Sequence, residues 1–180
     1  MVPFVHATDR MVDIVAEGFD LAVRDHKGAL PDSDLMQLRL GSEPDFLVAA
    51  PGFAARQALP ETPRDLENVP TLGNGAGGRA ETWQLRRGDE GVTVVPRVCF
   101  ASDDPGSLLA MTLAGHGIAR LPKAVCETHL AIGALLRVLP AWHAQGPVTS
   151  LIYPTRRGQL PAVRAAIAFI AAELGGKLQA

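Results

Sequence analysis

The chain has 180 residues, 47% hydrophobic and 20% charged, with a formal net charge of -2. That apolar content suits a buried core in one domain or two small lobes. The slightly acidic balance, with no basic block, excludes a nucleic-acid footprint within these residues, and two cysteines exclude a disulfide framework.

Pro3-Phe4-Val5 reads as the middle of a strand, and Phe4 to Ala7 as an exposed strand. Thr8 or Asp9 can cap a helix. Met11, Ile14 and Val15 follow at helical spacing, and Gly18 sits where a helix end wants a left-handed residue. Phe19, Leu21 and Val23 then alternate with polar or small residues, as in a strand. Leu30-Pro31-Asp32-Ser33 is a turn signal. Phe46 to Ala50 is apolar without alternation, which predicts a strand buried on both faces. Thr62-Pro63-Arg64-Asp65 opens a short helix that Pro70 ends.

The glycine-rich segment Gly73 to Gly78 lacks the G-x-x-x-x-G-K-S/T pattern of a phosphate loop, so it reads as a surface loop. Trp83 to Leu85 and Val92 to Val95 flank a polar turn and predict a hairpin. A strand follows at Arg97 to Ala101. Ser102-Asp103-Asp104-Pro105 is a helix start, and Gly115-His116-Gly117 its end. Next come a strand over Ile118 to Leu121, a helix from Pro122 to about Leu130, and strands at Leu135 to Leu139 and Val148 to Tyr153. Pro161 opens a final helix with an apolar stripe of Val163, Ile167, Ile170 and Leu174, read as core, and Gly175-Gly176 stops it.

Strands alternating with helices imply an α/β fold with largely parallel sheet. Cys99, in the run Val98-Cys99-Phe100, reads as a buried small hydrophobe. Cys126 and His129 make a C-x-x-H, but no second pair follows at zinc spacing, so no metal and no cofactor are expected. There is no G-x-S-x-G elbow, and Asp103 and Asp104 diverge too far at a helix start to work as an acid/base pair. No enzyme is expected. With no signal segment and no apolar run of membrane-spanning length, the expectation is a cytoplasmic protein.

DRMVDIVAEGFDLAVR followed by GALPDSDLMQLRL resembles the effector-binding domain of LysR-type transcriptional regulators. LVAAPGFAAR, TPRDL, GHGIARLP, LRVLPAW and YPTRR then fall in that family's order, so the resemblance covers nearly the whole chain. It implies a two-lobed α/β effector domain, like a type II periplasmic binding protein. Lobe I would be 1-45 and 147-180, lobe II 46-146, and FLVAA and VTSLIY the two crossing segments. It also implies a truncated N-terminus: the winged helix-turn-helix, the linker helix and the domain's first strand and helix are expected to be missing.

Open α/β sheets bind ligands beyond the carboxyl ends of strands, near helix N-termini. Arg24-Asp25-His26, after the strand Phe19 to Val23, is one such place. Ser102-Asp103-Asp104 is the other, where free backbone N–H groups would hold a small polar group; plain helix capping accounts for the same residues. In the family the loop matching Ser102 to Asp104 lines the effector cleft, and Arg24 would face it across the groove. The candidate effector-binding set is Arg24, Asp25, Asn74, Ser102, Asp103 and Asp104. The charges of Asp103 and Asp104 favour a polar or zwitterionic ligand over a dianion. The resemblance further implies a small-molecule effector, a homo-oligomer (dimer or tetramer), no membrane, and DNA contact only through a helix-turn-helix domain outside this chain. The alternative with the same lobes is a stand-alone solute-binding protein.

Overall fold

Local signals and long-range pairing divide the work of placing the elements. The computed structural model describes residues 2–8, 10, 12–26, 34–74, 82–155 and 160–178. The chain separates into two units: Met1–Glu43 with Pro147–Ala180, and Pro44–Gly146.

In the first unit, Phe4 to Ala7 forms no strand, and Phe4 is 89% exposed. The opening helix is a single turn. Asp13, not Thr8 or Asp9, caps it, its Oδ1 accepting from Val15 N and Ala16 N at 3.0 Å each. Gly18, at φ 77°, closes it: Gly18 N donates to Val15 O and Phe19 N to Ile14 O. That is a Schellman closure. It ties Phe19 back to the turn, so strand β1 begins only at Ala22 and runs Ala22–His26. Strand β2, Leu35–Ala49, begins in this unit. The expected turn at Leu30 to Ser33 lies outside the described residues.

β1 pairs antiparallel with β9, His143–Pro154, in the register Arg24 to Ser150 and Asp25 to Thr149. His26 Nε2 lies 3.0 Å from Ser150 Oγ, which also accepts from Gln37 Nε2 at 3.0 Å, so one polar cluster ties β1, β2 and β9. Helix α4, Pro161–Lys177, continues through Gly175 and Gly176 instead of stopping there. Gly175 is buried 3.7 Å from Leu40 O, and a Cβ on Gly41 would stand 2.6 Å from Leu178 Cβ. Packing of the helix end on β2 outweighs the helix-breaking tendency of the glycine pair. Val163 is buried; Ile167, Ile170 and Leu174 are half-buried; Phe169, beside the stripe, is 67% exposed.

The second unit takes up β2 and β9 where they leave the first. Its remaining elements, in chain order, are α1 (Pro51–Ala54), a 3-10 turn (Pro63–Glu67), β3 (Pro70–Gly73), β4 (Trp83–Arg87), β5 (Glu90–Val94), β6 (Arg97–Ala101), α2 (Pro105–Leu113), β7 (Ile118–Pro122), α3 (Lys123–Ala131) and β8 (Leu136–Arg137). The hydrogen-bonded strand order is β5-β4-β9-β2-β7-β3-β6, with β8 on β2. β3 is parallel to β6 and β7, and the other pairs are antiparallel.

Residues 47–50 are indeed buried on both faces. Leu47 and Ala49 join a core with Phe53, Trp83, Leu85, Ile118 and Trp142, while Val48 joins another with Leu72, Leu108, Leu121 and Cys126. The hairpin β4–β5 turns at Gly88-Asp89, with Gly88 at φ 57°. Asp65 Oδ2 accepts from Thr62 N at 2.8 Å and fixes the 3-10 turn. Cys99 is exposed on β6, which ends the strand order, so the sheet buries Thr71 but not its neighbour across β6. No helix among the described residues is long and apolar enough to cross a membrane.

Candidate functional site

The parallel strands of the second unit end together. Gly73 pairs with Ala101, and Leu72 with Ala119, so Asn74, Ser102 and Arg120 share one carboxyl edge. Ser102 N donates to Gly73 O at 3.1 Å, which holds the start of the α2 loop against the end of β3. Asn74 is exposed at that edge.

Asp104 is the N-cap of α2. Its Oδ1 accepts from Gly106 N at 3.1 Å; its Oδ2 accepts from Ser107 N at 2.8 Å and Ser107 Oγ at 2.7 Å. Pro105 has no N–H, and Leu108 N bonds Asp104 O. The first-turn donors are thus occupied by the chain itself, which corrects the expectation of free N–H groups for a carboxylate. Ser102 Oγ accepts from Asp104 N at 3.1 Å, leaving its hydroxyl hydrogen for a further acceptor. Asp103 is exposed and makes no hydrogen bond among the described residues.

Hydrogen bonds from the Ser107 hydroxyl, Ser107 N and Gly106 N hold the Asp104 carboxyl below the usual carboxylate range. A depressed folded pKa means the cap stabilises above the unfolded value and is lost as pH falls through the folded one. Denaturant midpoints followed from neutral pH to about pH 3 are expected to fall less steeply in Asp104→Asn, which caps without titrating. Equal slopes in the two proteins would remove Asp104 from the acid response.

Arg24 and Asp25 lie inside β1, not in a loop after it. The Arg24 guanidinium donates to Val12 O, and the Asp25 carboxylate accepts from Thr149 Oγ1 at 2.6 Å. Both therefore hold the first unit together, whereas Asn74, Ser102, Asp103 and Asp104 gather at one edge of the second.

A second charged group at that edge escaped the sequence reading. Arg120 and Asp45 are 9% and 6% exposed, with Arg120 Nε 3.7 Å from Asp45 Oδ2 and the guanidinium 5.8 Å from the Trp83 ring centroid. The available signal was a charge inside an apolar strand run, Ile118-Ala119-Arg120-Leu121. Cys126 is buried, with its thiol on Leu121 O, and among the described residues no group of three His, Cys, Asp or Glu side chains converges for a metal.

Residues 4–175 match the family described as LysR substrate binding domain. The chain is 32% identical over 170 residues to the HTH-type transcriptional regulator PtxR of Pseudomonas aeruginosa, covering 94% of this chain and 54% of that protein. It is 30% identical over 153 residues to an uncharacterized HTH-type transcriptional regulator of Haemophilus influenzae, covering 85% and 52%. The chain thus spans about half the length of these curated relatives. Among solved structures it is similar to the regulatory domain of AphB from Vibrio vulnificus, with 25% identity and a TM-score of 0.72 over 93% of this chain and 81% of that one. The regulatory domain of CrgA from Neisseria meningitidis, at 21% identity and a TM-score of 0.80 over the same shares, shares the fold. The sequence match along nearly its full length and the α/β fold agree: the chain belongs to the LysR substrate-binding domain family.

Proposed function

We propose that this chain is the effector-sensing regulatory domain of a LysR-type transcriptional regulator and performs no catalysis. The observation that carries this is the family match over residues 4–175, joined to an edge where the ends of three parallel strands and a helix start meet. The effector is a small polar molecule. Asn74, the Ser102 hydroxyl and the Asp103 carboxylate are its contacts in the second unit, and Arg24 and Asp25 order the β1 side of the first. Asp103, exposed beside the closed cap, favours a ligand with a positive or hydrogen-donating group. Cytoplasmic placement follows from this role.

The direct test is thermal unfolding of the chain against a panel of small carboxylic and amino acids. A ligand that binds only the folded state at about 100 times its Kd stabilises it by about 2.7 kcal/mol. A saturable rise in Tm for at least one compound is expected; a panel of central metabolites without one would count against sensing. Ser102→Phe is expected to abolish that rise while changing the stability of the free protein by no more than about 1 kcal/mol.

DNA contact belongs to a helix-turn-helix segment of the kind that names the relatives, not to this unit pair. At net charge -2, the chain alone is expected to give no sequence-selective shift of duplex DNA at low salt. Selective retardation would reverse that assignment.

The chain also pairs with a second copy. Phe4 and Phe169 in the first unit, and Val98 on the outer strand β6 in the second, are exposed, and an exposed strand edge is a template for pairing. Sedimentation at high micromolar concentration is expected to show a dimer or tetramer, and monomer alone would contradict it.

A further inference from the structure

With the first turn of α2 closed by Asp104, an acidic ligand group at this edge needs a different cation. Arg120 sits level with Gly73 on the parallel strands, one residue below Asn74 and Ser102. Its side chain leaves the sheet on the Trp83 side. Asp45 approaches Nε only to 3.7 Å, outside hydrogen-bond range. Beside them the Trp83 indole Nε1 is fully buried and meets no acceptor among the described residues. A buried indole N–H ordinarily finds one. Guanidinium and indole N–H together make a donor set that a carboxylate satisfies: its two oxygens match the guanidinium fork, and a further lone pair takes the indole. We propose that Arg120 is the specificity-determining cation of the effector site and takes the carboxylate of a monocarboxylate or zwitterionic ligand, in competition with Asp45. This deepens the sensing reading and rests on it.

The probe is sodium acetate, with glycine as the zwitterion. Sodium chloride and methylammonium chloride at matched ionic strength are the controls. The readout is the indole N–H resonance of Trp83 in the whole chain, told apart from that of Trp142 by Trp142→Phe. Acetate and glycine are expected to move the Trp83 resonance saturably and the controls to leave it in place. In the double variant Asp45→Leu/Arg120→Met, where both buried charges leave together and the fold tolerates their loss, the acetate response weakens by about tenfold or more. An unmoved Trp83 resonance, an equal response to chloride, or an equal acetate response in the double variant overturns the assignment. Should the double variant lose its fold, Arg120→Lys keeps the charge without the fork; a response weakened by about tenfold supports the assignment, and an unchanged one overturns it. The two readings fail separately. If a panel compound stabilises the chain while acetate leaves Trp83 unmoved, sensing stands and Arg120 falls; if acetate titrates Trp83 and no compound stabilises the chain, the reverse holds.

Discussion

Arg120→Met alone is expected to destabilise the fold by about 3–5 kcal/mol, a loss typical of breaking a buried ion pair from one side. Asp45 stays at 6% exposure, and the substitution takes away the cation facing it across 3.7 Å. Desolvation then penalises the carboxylate with less attraction to offset it. Adding Asp45→Leu is expected to restore most of the loss, because replacing a buried pair by apolar residues of similar volume is often neutral. Urea unfolding of the two single variants and the double closes the cycle. A double variant no more stable than Arg120→Met would show that the pair carries no coupled charge.

Gly117→Ala is expected to cost about 1–3 kcal/mol, as overpacking does. A Cβ at this position lands 2.9 Å from the Pro70 carbonyl oxygen and 3.2 Å from its carbon. These are backbone atoms of β3, so the strand itself has to move, and with it the pairing of Thr71 to Ile118 beside the site. Gly91→Ala is the control: nothing lies within 4 Å of a Cβ there, and a change within about 0.5 kcal/mol is expected. Equal denaturant midpoints for the two variants would mean that β3 and β7 yield without strain.

What was legible in the sequence is what neighbouring residues decide. Asp104-Pro105 starts α2 because a carboxylate cap and a proline at the first position act within one turn. Gly115, at φ 77°, ends it for the same local reason. The hairpin of β4 and β5 needs only Gly88-Asp89 between two strand-forming runs.

The errors have long-range causes. Phe19 and Leu21 alternate like a strand, yet β1 starts at Ala22, where pairing with Ile152 begins. That three-residue shift moved Arg24 and Asp25 from a ligand-facing loop into the sheet. Gly175 sits inside α4 because β2 packs on it, which no local pattern encodes. Half of the candidate site, Ser102 to Asp104, could be placed from capping alone. The Arg120 and Asp45 pair could not, since it joins β7 to β2 through antiparallel pairing of Asp45 with Pro122.

The central claim is that this domain senses a small polar effector at the Asn74 and Ser102 edge. Calorimetric titration of the compound that raises Tm, on the wild-type chain and on Ser102→Phe, tests it most directly. Saturable binding to the wild type, weakened by about tenfold or more in a Ser102→Phe protein of unchanged stability, is the predicted result. Equal affinity in both proteins would contradict it and place the effector away from this edge.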